Sequence, residues 1–329
     1  MNSTYMEGAI YLVLGAILLI LVIYDFFFTT LSGSGAGFIT KPVSVLTYKI
    51  TRMIAGVMGR RVYNFSGMVV NLVVLSTWGV LVWLGLYLLY SYDPAGIVSS
   101  KNVVATDWER LYFTGYTLST LGLGDFKPVT VLFEILTSCF SFFGFIFFTS
   151  SMTYLLSVSS ALINKRAISL NIQNLGQDPE ALAQKILDMD ISYSYQQLMS
   201  LQELIDRHTV NHQSYPVLHF YSHKDPRVCL SLNLTRLDEA LNILLSEPEA
   251  KDLHEELQPL RSSISRFLNH INENYMKVSS GEEKAVDSFD FPYKTGAVGN
   301  EKLIERRKIL LAFLKSERFN WEDVTRRNS

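Results

Sequence analysis

Three long apolar runs dominate the first half of the chain, at residues 8–28, 65–92 and 131–163. Asp25 is the only charge in the first run, the second has none, and the third carries only Glu134 near its start. About 20 apolar residues in a helix cover the hydrocarbon core of a bilayer, so each run predicts a membrane-spanning helix. The first run has a second reading as a signal peptide, because small residues follow at 32–37. It lacks the basic n-region of such a peptide and is long for its apolar core, so a retained helix is expected. Asp25 is a candidate functional acid by its setting in the membrane. The plainer expectation is that it reaches the interface or pairs with a base in the following loop.

Between the first two runs, Val43, Leu46, Ile50, Ile54 and Val57 recur at helical spacing, while Lys49, Arg52 and Arg60 fall elsewhere. Pro42 suits a first helical turn. The pattern predicts an amphipathic helix on the inner membrane surface, with packing against the soluble half as the alternative.

Between the second and third runs lies a shorter pattern. Thr106 and Glu109 have capping-box spacing, and Trp108, Leu111, Tyr112, Tyr116 and Leu118 continue a helix of about three turns. That helix is too short to span. It leads into Ser119-Thr120-Leu121-Gly122-Leu123-Gly124-Asp125. Non-helical backbone at membrane depth is tolerated only where protein buries it or where it lines an aqueous path. Gly122 and Gly124 are free to adopt positive φ, and alternation with ordinary residues turns successive carbonyls toward one axis. Rings of such carbonyls replace the hydration shell of a potassium ion. The C-terminal end of the short helix, carrying about half a negative charge, favours a cation in a cavity beneath. One chain supplies a quarter of each ring, so the site requires a homotetramer.

Beyond residue 164 the patterning is helical and wet. Leu253, Leu257, Leu260, Ile264, Phe267 and Ile271 alternate at four- and three-residue steps, which suits either a bundle core or a short coiled-coil seam. Residues 277–299 read as a loop or linker. Residues 301–318 predict a basic helix with Leu303, Ile304, Leu311 and Leu314, expected to dock on the bundle, with anionic lipid as the other partner. His208 with His212, and His219 with His223, have the i, i+4 spacing of metal ligands on a helix. No carboxylate and cysteine cluster completes a site, and ordinary polar histidines are expected. Cys139 and Cys229 fall in unlike surroundings, so no disulfide is expected.

Charge sharpens this division. Of the 60 charged residues in a chain of 329, 45 follow Asn164, which predicts a membrane domain followed by a soluble one. Lys41, Lys49, Arg52, Arg60 and Arg61 lie between the first two runs without an acid, and Lys165 and Arg166 follow the third. The positive-inside rule then puts both regions in the cytoplasm, with the N-terminus and residues 93–130 outside. A net charge of −2 gives no reason to expect nucleic acid as a partner.

The run Thr117-Leu118-Ser119-Thr120-Leu121-Gly122-Leu123-Gly124-Asp125, continued by Lys127-Pro128-Val129-Thr130, resembles the pore module of potassium channels, whose signature is T-x-x-T-x-G-(Y/F/L)-G-D. The resemblance covers about 65–164. It implies that Thr120 coordinates potassium through its hydroxyl and carbonyl, and that Leu121, Gly122 and Leu123 add carbonyls. It further implies that Gly124 forms the outer mouth, Asp125 braces the filter from behind, and Gly144 is a hinge in the inner helix. The usual valine and aromatic are Leu121 and Leu123 here, so the aromatic hydroxyl that braces the filter is lost. Tyr116 stands where some members carry a buried glutamate. The hydroxyls of Thr149, Ser150, Ser151 and Ser157 are candidates for lining the inner vestibule. The first helix has no arginine repeat, so no steep voltage dependence is expected.

The expected architecture is an all-α membrane protein, homotetrameric in a cell membrane. Its parts are an N-terminal membrane helix (1–31), an interfacial segment (32–64), a pore module (65–163) and a helical cytoplasmic domain (164–329). The module divides into an outer helix (65–92), pore helix (106–118), filter (119–125) and inner helix (131–163). The expected function is passive potassium conduction, gated by an unidentified ligand or protein at the cytoplasmic domain, with no cofactor beyond the permeant ion. The alternatives are a weakly selective cation pore, or a membrane-tethered sensor whose soluble half does the main work. A potassium transporter subunit fits less well, since this chain has one pore repeat with two glycines. No G-x-G-x-x-G, P-loop, EF-hand or H-E-x-x-H motif and no nucleophile–base pair stands out, so enzymatic activity is not expected.

Overall fold

The computed structural model describes residues 2–58, 64–223, 225–276, 278, 286 and 300–325. The predicted linker at 277–299, and the basic Arg60 and Arg61, lie almost wholly outside them. Two compact units form: one from residues 1–50 and 68–158, the other from 51–67 and 159–329.

In the first unit, α1 (Asn2–Leu31), α3 (Ser66–Tyr90) and α5 (Val131–Leu175) contain the segments long and apolar enough to cross a membrane. The protein is therefore an all-α membrane protein. Helices α1 and α3 lie antiparallel. A side chain at Gly8 would strike the carbonyl of Tyr92, and one at Gly15 the carbonyl of Gly85. Small residues let membrane helices approach this closely. Further along, Phe26 packs edge-on against Trp78, with ring centres 5.2 Å apart, and against Phe147 at 4.7 Å.

Asp25 is fully buried at this junction. Its carboxylate accepts hydrogen bonds from the Ile39 amide (2.7 Å), the Thr40 amide and hydroxyl, and Trp78 Nε1 (2.8 Å). Among the described residues it forms no ion pair with a base. Instead it caps α2 (Thr40–Met58), where free amides and the helix dipole favour an anion. Gly37 must lack a side chain here, because a Cβ would sit 2.1 Å from Asp25 Oδ1.

Helix α2 is inverted relative to a helix in water. Thr40, Ser44, Thr51 and Ala55 are buried, while Leu46, Ile50, Met53 and Ile54 are exposed. An outward apolar face suits the predicted contact with lipid.

Helix α5 is 45 residues long without a break, about 68 Å at 1.5 Å per residue. A bilayer core of about 30 Å takes up less than half of that. The inner helix thus does not stop at 163 as its apolar run suggests. It continues for twelve residues past that point into the polar stretch.

The second unit is a helical bundle. It comprises the end of α5, α6 (Pro179–Leu187), α7 (Ile191–Ser214), α8 (Leu230–Ser246), α9 (His254–Asn274), α10 (Asn300–Ser316) and α11 (Trp321–Thr325). Helix α8 is buried on nearly every side. Leu253, Leu257, Leu260, Ile264, Phe267 and Ile271 all enter the core of this unit, so the stripe is a bundle core within one chain. Helix α10 docks through Leu303, Leu311 and Leu314. Its Arg306 and Arg307 pair with Asp238 and Glu239 of α8, the latter at 2.6 Å. These bases are spent inside the protein rather than on lipid.

Candidate ion pathway

Helix α4 (Asp107–Leu118) starts at a complete capping box. The Thr106 amide donates to Glu109 Oε2 at 2.8 Å, and the Glu109 amide to Thr106 Oγ1 at 3.4 Å. Two of the free amides at the helix start are satisfied this way. Backbone bonding to Thr106 holds the Glu109 carboxyl below its ordinary range.

The helix is held from both sides. Trp83 Nε1 on α3 donates to the Leu111 carbonyl at 2.9 Å. On α5, Ser141 Oγ donates to the Thr117 carbonyl at 3.3 Å. A Cβ at Gly144 would lie 2.0 Å from the Leu118 carbonyl. Gly144 therefore has a packing reason to be glycine: it lets the inner helix press on the end of α4. The resemblance implied a hinge there; in this structure α5 passes through Gly144 as continuous helix. Tyr90 on α3 bonds Thr137 on α5 at 2.7 Å, which closes the frame.

After α4 the backbone alternates in hand. Thr120, Gly122 and Gly124 have φ of +58°, +58° and +79°, with Leu121 and Leu123 between them. Nothing lies within 4 Å of where a Cβ of Gly122 or Gly124 would be. Their role is conformational rather than one of clearance. The whole run from Ser119 to Asp125 is exposed in the single chain, with Leu121 61% exposed.

Its ends are anchored. The Leu121 amide donates to the Tyr116 carbonyl at 3.0 Å. Downstream, β2 (Phe126–Pro128) pairs antiparallel with β1 (Ile97–Ser99), Val98 opposite Lys127. Tyr116 Oη donates to the Phe126 carbonyl at 2.5 Å. Asp125, for which the resemblance implied a bracing role, follows Gly124 at the end of this run. Its carbonyl accepts from the Ser100 amide at 2.8 Å, and the residue is exposed in the single chain. A phenol still braces this loop, supplied from α4 rather than from between the glycines.

Below Thr120, an apolar cleft of about 630 Å³ opens between α3, α4 and α5. Trp83, Phe143, Phe147, Phe148 and the bare backbones of Gly115 and Gly144 line it. Of the hydroxyls further along α5, Thr149 is exposed and donates to the Phe145 carbonyl. Ser150 and Ser157 are half-buried, and the Ser151 hydroxyl is buried. These four do not share one exposed stripe, since Thr149 is a helical step away from Ser150 and Ser157.

A short capped helix between two long apolar helices, followed by backbone of alternating hand, defines a membrane protein of the ion-channel class. Residues 73–160 match a family model described as ion channel, and this stretch holds α4 and the backbone of alternating hand. Over nearly its whole length the chain is similar to a Bacillus subtilis (strain 168) protein named "Uncharacterized membrane protein YdjJ". The two are 28% identical over 331 residues, covering 94% of this chain and 95% of that one. No solved structure matches the chain.

Proposed function

We propose that the chain is one subunit of a homotetrameric potassium channel in a cell membrane. Carbonyls of Thr120, Leu121, Gly122 and Leu123 from four copies form the ion sites. The alternating positive φ at 120, 122 and 124 carries this reading. Alternation of hand brings consecutive carbonyls to one side of an extended strand, and four such strands around an axis make stacked oxygen rings. The exposure of the loop in one subunit supports the same reading, as does the exposed apolar surface of α5 at Phe142, Phe145 and Phe148. The excess of basic residues around α2 and after the third apolar run supports a cytoplasmic position for both.

The test is the reversal potential of purified protein in a bilayer with KCl on one side and NaCl on the other. A value near the potassium equilibrium potential is expected. A value near zero with robust current would establish a weakly selective cation pore instead, with Leu121 and Leu123 as the first suspects. Gly122→Ala forces a Cβ into φ of +58°, at a cost of about 1–2 kcal/mol in each of four copies. It should remove the current while leaving the protein in the membrane. Unchanged current in this variant excludes the loop as the filter.

A further inference from the structure

Four of the six histidines gather in the second unit. His208 and His212 come from α7, His219 from the turn at Pro216–Phe220, and His270 from α9. His212 Nδ1 lies 3.2 Å from His270 Nε2. The ring centres of His212 lie 5.6 Å from His219 and 5.9 Å from His208. Tyr275 stacks on His219 at 4.2 Å, and Phe267 packs on His208 at 5.1 Å. His208 and His212 are each 2% exposed. Neither ring nitrogen of His208 has a hydrogen-bonding partner among the described residues. A phenylalanine would fill that site without stranding two polar atoms.

We propose that this cluster is a proton sensor: the bundle closes around neutral imidazoles and loosens when they are protonated. This deepens the channel reading, on which its link to conduction rests. The 3.2 Å contact needs one nitrogen to donate and the other to accept, so it fails once both rings carry two protons. The surrounding charges do not accommodate new cations. Lys165 of α5 faces the cluster and disfavours protonation of His208, His212 and His219. Glu317 favours protonation of His219, but it is already engaged by Lys165 Nζ (3.3 Å), Cys229 Sγ (2.7 Å) and the Ser231 amide (3.2 Å). Glu273 of α9 faces His270, and Asp206 and Arg266 pair with each other in the adjoining cleft at 2.8 Å. His270 is only partly covered and has Glu273 beside it, so it takes the first proton. Burial, foremost, pushes His208 and His219 down to about 3.

The sign follows. In the opened form these rings return to the ordinary histidine value of about 6.5. Above that value both forms are neutral and the closed bundle is fully favoured. As pH falls below it, the open form binds more protons, and its share grows by up to about tenfold per pH unit for each histidine kept neutral by closure. Lys165, whose charge acts on the cluster, donates to the Tyr221 carbonyl at 2.7 Å and belongs to the same unbroken helix α5 as Ser141 and Gly144. Helix α5 is the proposed route to conduction, which the potassium-flux measurement tests.

The experiment uses the full chain in nanodiscs and vesicles between about pH 7.5 and 5.5. Amide exchange of α7 and α9, corrected for its intrinsic pH dependence, should rise at least about tenfold with a midpoint near 6. In His208→Phe the rise should be smaller, with a melting temperature at pH 7.5 at or above wild type. His270→Gln, which keeps a polar partner for His212, should lower the midpoint. Exchange that is flat with pH overturns the sensor whether or not the protein conducts. A response to Zn²⁺ at pH 7.5 with none to acid overturns it too, and makes the cluster a metal site. Potassium flux should change over the same pH window. Flux that is present but pH-independent overturns the link to the pore. No flux at any pH overturns the channel reading and leaves the sensor to be judged by exchange.

Discussion

Tyr116 shows how one side chain can replace another's work from a different place in the chain. Leu123 has no hydroxyl, yet the strand after the filter is still held by a phenol, at 2.5 Å from the Phe126 carbonyl. Losing that bond costs about 1 kcal/mol per copy. Tyr116→Phe is expected to keep conduction but let sodium compete better, seen as a reversal potential shifted toward zero. An unshifted potential would mean that the bond does not shape the filter. The positive φ of Gly122 and Gly124 was legible in the sequence, because a backbone demand explains G-x-G in that setting. Thr120 at φ +58° was not, since a β-branched residue gives no hint of left-handed backbone. Nor was Gly144. Its sequence position suggests bending, while its surroundings show a carbonyl 2.0 Å from where its Cβ would be.

At the level of elements, the three apolar runs and the capped short helix could be read directly, because length and end-capping are local properties. What α1 does was less visible. Asp25 looked like an isolated acid in a membrane helix, and its four donors come from residues 39, 40 and 78. Asp25→Ala leaves the Trp78 indole and the first amides of α2 without an acceptor. Bonds to a charged group are worth about 1.5–3 kcal/mol each, so a clear drop in melting temperature in detergent is expected, with Asp25→Asn in between. A melting temperature equal to wild type would show that α2 does not depend on this cap. The end of α5 was misplaced for a related reason. Hydropathy marks where lipid ends, and helices stop for other reasons.

For the molecule as a whole, charge asymmetry separated an apolar half from a wet one, and the structure shows two compact units. The sequence was misleading about where the charges go. Asp238 and Glu239 on α8 are almost fully buried, and their partners Arg306 and Arg307 lie 68 residues away. Arg307→Ala strands a buried carboxylate and should cost about 3–5 kcal/mol, whereas replacing Arg307 and Glu239 together by apolar residues should be close to neutral. A double variant as unstable as the single one would refute this. Burial works against ionisation of Asp238 and Glu317, but Arg306 and Lys165 outweigh it and hold both below the ordinary carboxylate range. A group so lowered stabilises above its unfolded value of about 4 and is lost as pH falls through the folded one. Melting temperature should therefore fall in two stages on acidification, from about 6.5 through the histidines and below about 4 through these acids. A single stage would separate the two sets wrongly.

The ion pairs between α8 and α10 also carry a consequence for how the protein is made. A ribosome delivers α8 well before α10, and domains tend to fold in the order they emerge. Until Arg306 and Arg307 appear, closing the bundle would bury two carboxylates without the arginines that hydrogen-bond them. The second unit therefore waits for its C-terminal helices, and a chain released before residue 300 should stay protease-sensitive there while its membrane helices insert normally. Each chain would be proofread for completeness by its own electrostatics.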